Sequence, residues 1–138
     1  MLPELGAEGQ KRLSATRILL VGAGGLGSPI ATYLTAAGIG TLGIIDADKV
    51  SVSNLQRQTL YTEDEVGQSK VECAYKRLHG LNHEVSISTY DCFLTKDNAA
   101  EIIAGYDMVV DGCDNFATRF IINDICIAAG KPYIYGSI

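Results

Sequence analysis

Ile18-Leu19-Leu20-Val21-Gly22-Ala23-Gly24-Gly25-Leu26-Gly27 decides the fold. Four consecutive apolar residues stopped by glycine read as a short buried strand. Ser28 and Pro29 then suit a first helical turn, and Leu26, Ile30, Leu34 and Ala37 recur at helical spacing. A strand, a glycine turn and a helix in that order form an anion-binding loop. Gly22 permits the tight turn, Gly24 lets a phosphate approach the backbone, and Gly27 allows helix and strand to pack closely. The helix start directs unbonded N–H groups and the positive dipole end at the anion. The motif alone leaves NAD, FAD, ATP and S-adenosylmethionine open.

Working outward, apolar runs alternate with helical patterns. Gly38 and Gly40 end the first helix, and Leu42-Gly43-Ile44-Ile45-Asp46 reads as the second strand. Residues 47–66 form a long polar connection, a length associated with function or disorder. A helix is expected from about Ser69 to Leu81 and a strand over Val85-Ser86-Ile87-Ser88. Thr95 is positioned to cap a short helix carrying Ile102 and Ile103. Met108-Val109-Val110 reads as a buried strand, and Asn115 to Ala129 as a deeply packed helix, apolar on most faces. Gly130 and Pro132 stop it before a last strand at Tyr133-Ile134-Tyr135. The fold class is therefore α/β, Rossmann-like, a mostly parallel sheet with helices on both faces. Right-handed crossovers bring Gly22, Asp46 and residues 111–115 to the carboxyl ends of the strands. The sheet is expected to continue past Ile138, so residues 1–138 read as part of a single domain, incomplete at both ends.

Composition narrows the ligand. An apolar fraction of 47% supports a buried core in a chain of 138 residues. A net charge of −5 argues against nucleic acid or an anionic membrane as partner. No apolar stretch reaches the ~20 residues that span a bilayer. Met1-Leu2-Pro3-Glu4-Leu5 has no basic region ahead of an apolar run, and the cytoplasm is the expected location. Cys73, Cys92, Cys113 and Cys126 form no C-x-x-C pair and read as reduced thiols rather than zinc ligands. His79 and His83 read as solvated surface residues, and Cys113 as a small filler near a helix start.

Against that acidic background a few polar residues stand out. Asp46, with Asp48 as competitor, follows the loop by about twenty residues, where a carboxylate accepts from ribose hydroxyls. Ser53, Asn54 and Gln58 are hydrogen bonders flanking Arg57, whose guanidinium fork suits phosphate oxygens. Lys70, a compact charge at the next helix start, is placed to reach a β or γ phosphate. Taken singly, Arg57 and Lys70 read as solvated cations; together, after a phosphate loop, they favour a nucleoside triphosphate. Asp114 is a plausible Mg²⁺ ligand and Asn115 a ribose or phosphate contact, with helix capping as the competing role for both.

The blocks IIDADKVSVSNLQRQ (44–58), VGQSKVE (66–72) and DGCDN (111–115), with the glycine loop, resemble the ThiF/MoeB/HesA family, relatives of the ubiquitin-activating enzymes. The likeness runs through nearly the whole chain. It implies ATP- and Mg²⁺-dependent adenylation of the C-terminal glycine of a ubiquitin-like sulfur-carrier protein, usually by a homodimer. It places Gly25 at the phosphates, Asp46 at the ribose, and Ser53, Asn54, Leu55, Gln56 and Arg57 along the nucleotide. It makes Lys70 a phosphate ligand, gives Asp114 to Mg²⁺ and sets Asn115 beside the nucleotide. Arg57, Lys70 and Asp114 are thereby the catalytic set. The family's Arg-Tyr-x-Arg segment ahead of Leu-Pro-Glu-Leu is absent here. Its zinc-binding pairs and sulfur-transfer cysteine fall beyond residue 138, so zinc is expected only there. The competing readings are an NAD-dependent oxidoreductase domain and a nucleotide-binding subunit without catalysis of its own.

Overall fold

The computed structural model describes residues 9, 11–24, 27–50, 62–113 and 116–135. Among these, five strands form one sheet: β1 (Arg17–Val21), β2 (Thr41–Ile45), β3 (Ser86–Tyr90), β4 (Met108–Asp111) and β5 (Tyr133–Tyr135). Every pairing is parallel, in the order β3-β2-β1-β4-β5. The chain builds outward from β1 through β2 to β3, then crosses back to place β4 on the other side of β1. That reversal is a topological switch point, where open α/β sheets hold ligands at the carboxyl ends of their strands.

Burial on both faces explains the unbroken apolar run of β1. Ile18 and Leu20 face one core with Leu42 and Ile44, covered by α1 (Gly27–Ala37) and α2 (Lys70–Leu81) through Ala31, Val71, Ala74 and Leu78. Leu19 and Val21 face the other core with Ile45 and Val109. There α3 (Ala99–Ala104) and α4 (Phe116–Ala129) supply Ala99, Ile103, Ile122 and Cys126. Helices on both sides of a parallel sheet satisfy the crossover geometry and remove water from both faces. The expected fold class is the observed one.

Local differences have local causes. The third strand starts one residue later than Val85 and runs on to Tyr90, because its register follows β2 as far as Ile45. Asn98, not Thr95, stands before the short helix α3; its Oδ1 accepts the Thr95 N–H at 2.8 Å, tightening the turn that precedes the helix. α4 is not packed deep. Ile122 and Cys126 are buried, while Phe120 and Ile127 are 69% and 71% exposed. α4 packs against α3, β4 and β5, and one stripe of it meets the core.

Lys131 locks α3 in place. Its ammonium donates to the carbonyls of Ile103, Ala104 and Tyr106 at 2.9, 3.1 and 2.6 Å, satisfying acceptors that a helix end leaves unbonded. Tyr106, whose hydroxyl meets that of Tyr90 at 2.8 Å, is raised above the usual tyrosine pKa by burial and then by that bond. Gly43 in β2 leaves room for this hydroxyl, which an added Cβ would overlap.

Candidate nucleotide site

The glycine turn sits at the switch point and is constrained from three sides. Gly22 has φ +94°, a conformation that side chains disfavour, and its N–H donates to Ile45 at 2.9 Å. A Cβ on Gly22 would stand 3.1 Å from the Cys113 nitrogen, so the turn lies directly against the segment leaving β4. Gly27 opens α1 with its Cα against the Gly22 carbonyl, which an added Cβ would overlap. Both glycines therefore do what their spacing implies. Gly24 accepts the Ser28 N–H at 2.8 Å, starting the helix. Gly25 lies outside the described residues.

Asp46 follows the last residue of β2 and joins the turn to what comes next. Its Oδ2 accepts the Ala23 N–H and its Oδ1 the Asp48 N–H, both at 2.8 Å. Each oxygen keeps a second lone pair, so a ribose hydroxyl has an acceptor in either. Asp48 then accepts the Lys70 N–H through its carbonyl at 3.1 Å. One chain of hydrogen bonds thus runs from the glycine turn through Asp46 and Asp48 to the start of α2.

The long connection closes on itself beside this path. Lys49 pairs with Ser69 in an antiparallel bridge, the Val50 N–H donates to Gln68 at 2.9 Å, and the Gly67 N–H to Val50 at 2.7 Å. A 3-10 turn at Glu63–Glu65 precedes the return. Both roots of the 51–61 segment are therefore fixed at the carboxyl end of β2. Ser53, Asn54, Leu55, Gln56, Arg57 and Gln58 lie outside the described residues.

Lys70 departs from its single-residue reading as a solvated cation. It is 4% exposed. Among the described residues no hydrogen bond or ion pair reaches its ammonium. The neighbouring Ser69 hydroxyl is buried and likewise unpartnered, and Ser69 stands at the N-terminal cap of the twelve-residue α2 without making a side-chain cap bond. The lysine stands at a helix N-terminus, whose dipole favours an anion there.

Asp111, which the sequence places at a strand end with no role of its own, is a buried anchor. Fully enclosed as the last residue of β4, it accepts the Tyr133 hydroxyl at 2.6 Å and the Cys113 N–H at 2.9 Å, with Arg119 Nε at 3.8 Å. Burial, then the bond to Asp111, raises the Tyr133 phenol well above its usual range, keeping it a donor. Its partner on another strand is 22 positions away, which no local pattern signals. Asp114 and Asn115 lie outside the described residues.

The remaining sequence candidates do not gather here. The four cysteines are free thiols, and burial pushes Cys73 up to about 11, leaving it protonated at neutral pH. No group of three or more metal-binding side chains occurs among the described residues, and no described helix is long and apolar enough to cross a membrane.

Known proteins share this sequence and fold. The chain is 49% identical over its whole length to the sulfur carrier protein adenylyltransferase of Thermus thermophilus, covering 51% of that protein. It is 48% identical to mouse adenylyltransferase and sulfurtransferase MOCS3, 99% of the chain matching 30% of that protein. Among solved structures, E. coli tRNA N6-threonylcarbamoyladenosine dehydratase in complex with ATP superposes with a TM-score of 0.90 at 32% identity, over 94% of this chain and 54% of that one. The chain thus spans about half, or less, of the relatives it matches. The ThiF family model matches residues 1–138, and the chain belongs to that family.

Proposed function

We propose that the full-length protein uses ATP to adenylate the C-terminal glycine of a ubiquitin-like sulfur-carrier protein in a thiamine, molybdopterin or related sulfur-transfer pathway. The observation that carries this reading is the enclosed side chain of Lys70, whose ammonium meets no described partner and whose backbone N–H is linked through Asp48 and Asp46 to the glycine turn. A polyphosphate between turn and lysine supplies the missing counter-charge. Relatives named as adenylyltransferases, and a structural neighbour in complex with ATP, support the choice of nucleotide and reaction.

The reaction follows from charge. A terminal carboxyl has a pKa of about 3.3–3.7, so the carrier tail is ionised at neutral pH and needs no general base. One carboxylate oxygen attacks the α-phosphorus, forming the acyl-phosphate bond. The bond to the bridging oxygen breaks, and pyrophosphate leaves with its electron pair. The difficulty is holding an anion against a polyanion, so the protein's part is positioning and charge compensation. Lys70 and Arg57 take the phosphates, the turn amides add donors, and Asp46, or Asp48 in its place, takes the ribose. Asn54, Asn115 and their neighbours line the nucleotide. Asp114 would hold Mg²⁺ with the phosphates and waters, the few-carboxylate coordination this ion prefers. The bound ion supplies neutralisation of the developing pyrophosphate charge. Asp111 does not compete for it, since its carboxylate is fully enclosed. The reading includes a homodimer in the cytoplasm, the former checked by sedimentation of the full-length protein.

Calorimetry of the full-length protein separates this reading from an oxidoreductase. ATP with Mg²⁺ is expected to bind in the micromolar range, about −8 kcal/mol, with NADH at least about a hundredfold weaker. Tighter binding of NADH would overturn the assignment. Pyrophosphate exchange by the protein with its carrier, and no other subunit, then excludes a non-catalytic role.

A further inference from the structure

We propose that Arg119 and Asp111 are positioning residues for the nucleotide site, acting together through the Cys113 peptide. The Cys113 backbone is gripped on both sides of its Cα. Its N–H donates to Asp111 Oδ1 at 2.9 Å, and its carbonyl accepts from Arg119 Nη2 at 3.3 Å. The two gripping groups also meet, Arg119 Nε standing 3.8 Å from Asp111 Oδ2. Each is held in turn by a tyrosine of β5. Tyr133 donates to Asp111 at 2.6 Å, and the Arg119 guanidinium lies 5.1 Å from the centre of the Tyr135 ring.

The grip matters because of what touches it. Cys113 is the backbone against which Gly22 turns, with an added Cβ on Gly22 only 3.1 Å from the Cys113 nitrogen. A small displacement of this peptide therefore moves the glycine turn. Asp111 is fully enclosed, and a buried carboxylate is tolerated only when well bonded. A charge used only to join strands would be costly beside apolar packing. This one terminates instead on the peptide beneath the phosphate turn. Arg119 is suited to the task by its planar fork, which addresses a carboxylate and a carbonyl at once. A lysine ammonium is a single point on a flexible stem and does not reproduce that grip. A groove of about 290 Å³ runs along the outside of the clamp, lined by Arg119, Phe120, Asn123, Tyr133 and Tyr135.

The kinetic consequence rests on the adenylation reading, but the mechanical one does not. Two measurements on the full-length protein test them separately, using Arg119→Lys and Tyr133→Phe. In ATP–pyrophosphate exchange, Arg119→Lys is expected to lower kcat by about 10–100-fold, the scale of a misplaced reacting group, while its charge and melting temperature are kept. Tyr133→Phe should show a smaller loss of the same kind. Amide hydrogen exchange at Cys113 and Gly22 should quicken about tenfold in Arg119→Lys, with the core strands β1 and β2 unchanged. A folded Arg119→Lys protein with kcat and Cys113 exchange both within about twofold of the parent overturns the proposal. If the parent itself performs no pyrophosphate exchange, adenylation fails alone. The clamp then stands or falls on the amide exchange at Cys113.

Discussion

Lys70→Met in the full-length protein should cut ATP–pyrophosphate exchange by about 10²–10³-fold, the usual effect of removing one well-placed donor to a developing charge. Methionine keeps the unbranched stem that the site encloses and removes only the ammonium. Because no described carboxylate pairs with that ammonium, its loss leaves no orphaned counter-charge behind. The unliganded variant should therefore be as stable as the parent or more so, unlike the broken half of a buried ion pair, which costs about 3–5 kcal/mol. Denaturant unfolding and exchange assays on the same preparation check both halves. Near-normal exchange would remove Lys70 from the site. A large loss of stability would mean that Lys70 serves the fold instead. Arg57→Ala should likewise collapse exchange while leaving the fold intact.

Gly27→Ala should have the largest effect on the fold. The added Cβ would overlap the Gly22 carbonyl, and both atoms belong to backbone fixed by β1 and the start of α1. Relief requires α1 to move away from the sheet. The expected destabilisation is about 3 kcal/mol, the upper end for overpacking, with ATP binding lost because the turn amides move with the helix. Gly80→Ala is the control. Gly80 lies in the last turn of α2 with open space around it and no unusual φ, so alanine there should stabilise by about 0.5–1 kcal/mol. Equal unfolding midpoints for the two variants would contradict this account of the turn.

How far the sequence reveals this molecule depends on whether a residue's role is local. The apolar runs of β1 and β2 are legible because a strand buried on both faces has no polar face to hide. Gly27 is legible because the carbonyl it packs against, that of Gly22, lies within six residues of chain, and Gly22 because its φ of +94° belongs to the turn itself. Asp46 is legible as a carboxylate at a strand end beside the turn but not as the acceptor of the Ala23 amide, since ribose binding and loop bracing ask for the same residue type. Lys70 reads as a surface cation because lysine is seldom enclosed. It starts α2 where residues 67–69 return onto Val50 across the long connection, a meeting that no local pattern signals. Asp111 and Arg119 are illegible because their partners sit on β5 and on the turn after β4, brought together only by the parallel register of β4 with β5. The exposure of α4 is misread for a related reason. Apolar residues on several faces of a helix do not reveal that only one stripe meets the core.

The central claim is that a triphosphate bridges the glycine turn and the Lys70 ammonium at the switch point of the sheet. A crystal structure of the full-length protein with Mg²⁺ and a non-hydrolysable ATP analogue tests it most directly. The account predicts phosphate oxygens within about 3 Å of Lys70 Nζ and of amide nitrogens in the 22–27 turn, the distance of a charge-assisted hydrogen bond. A triphosphate bound elsewhere, or a Lys70 ammonium facing away from it in the complex, would contradict the account.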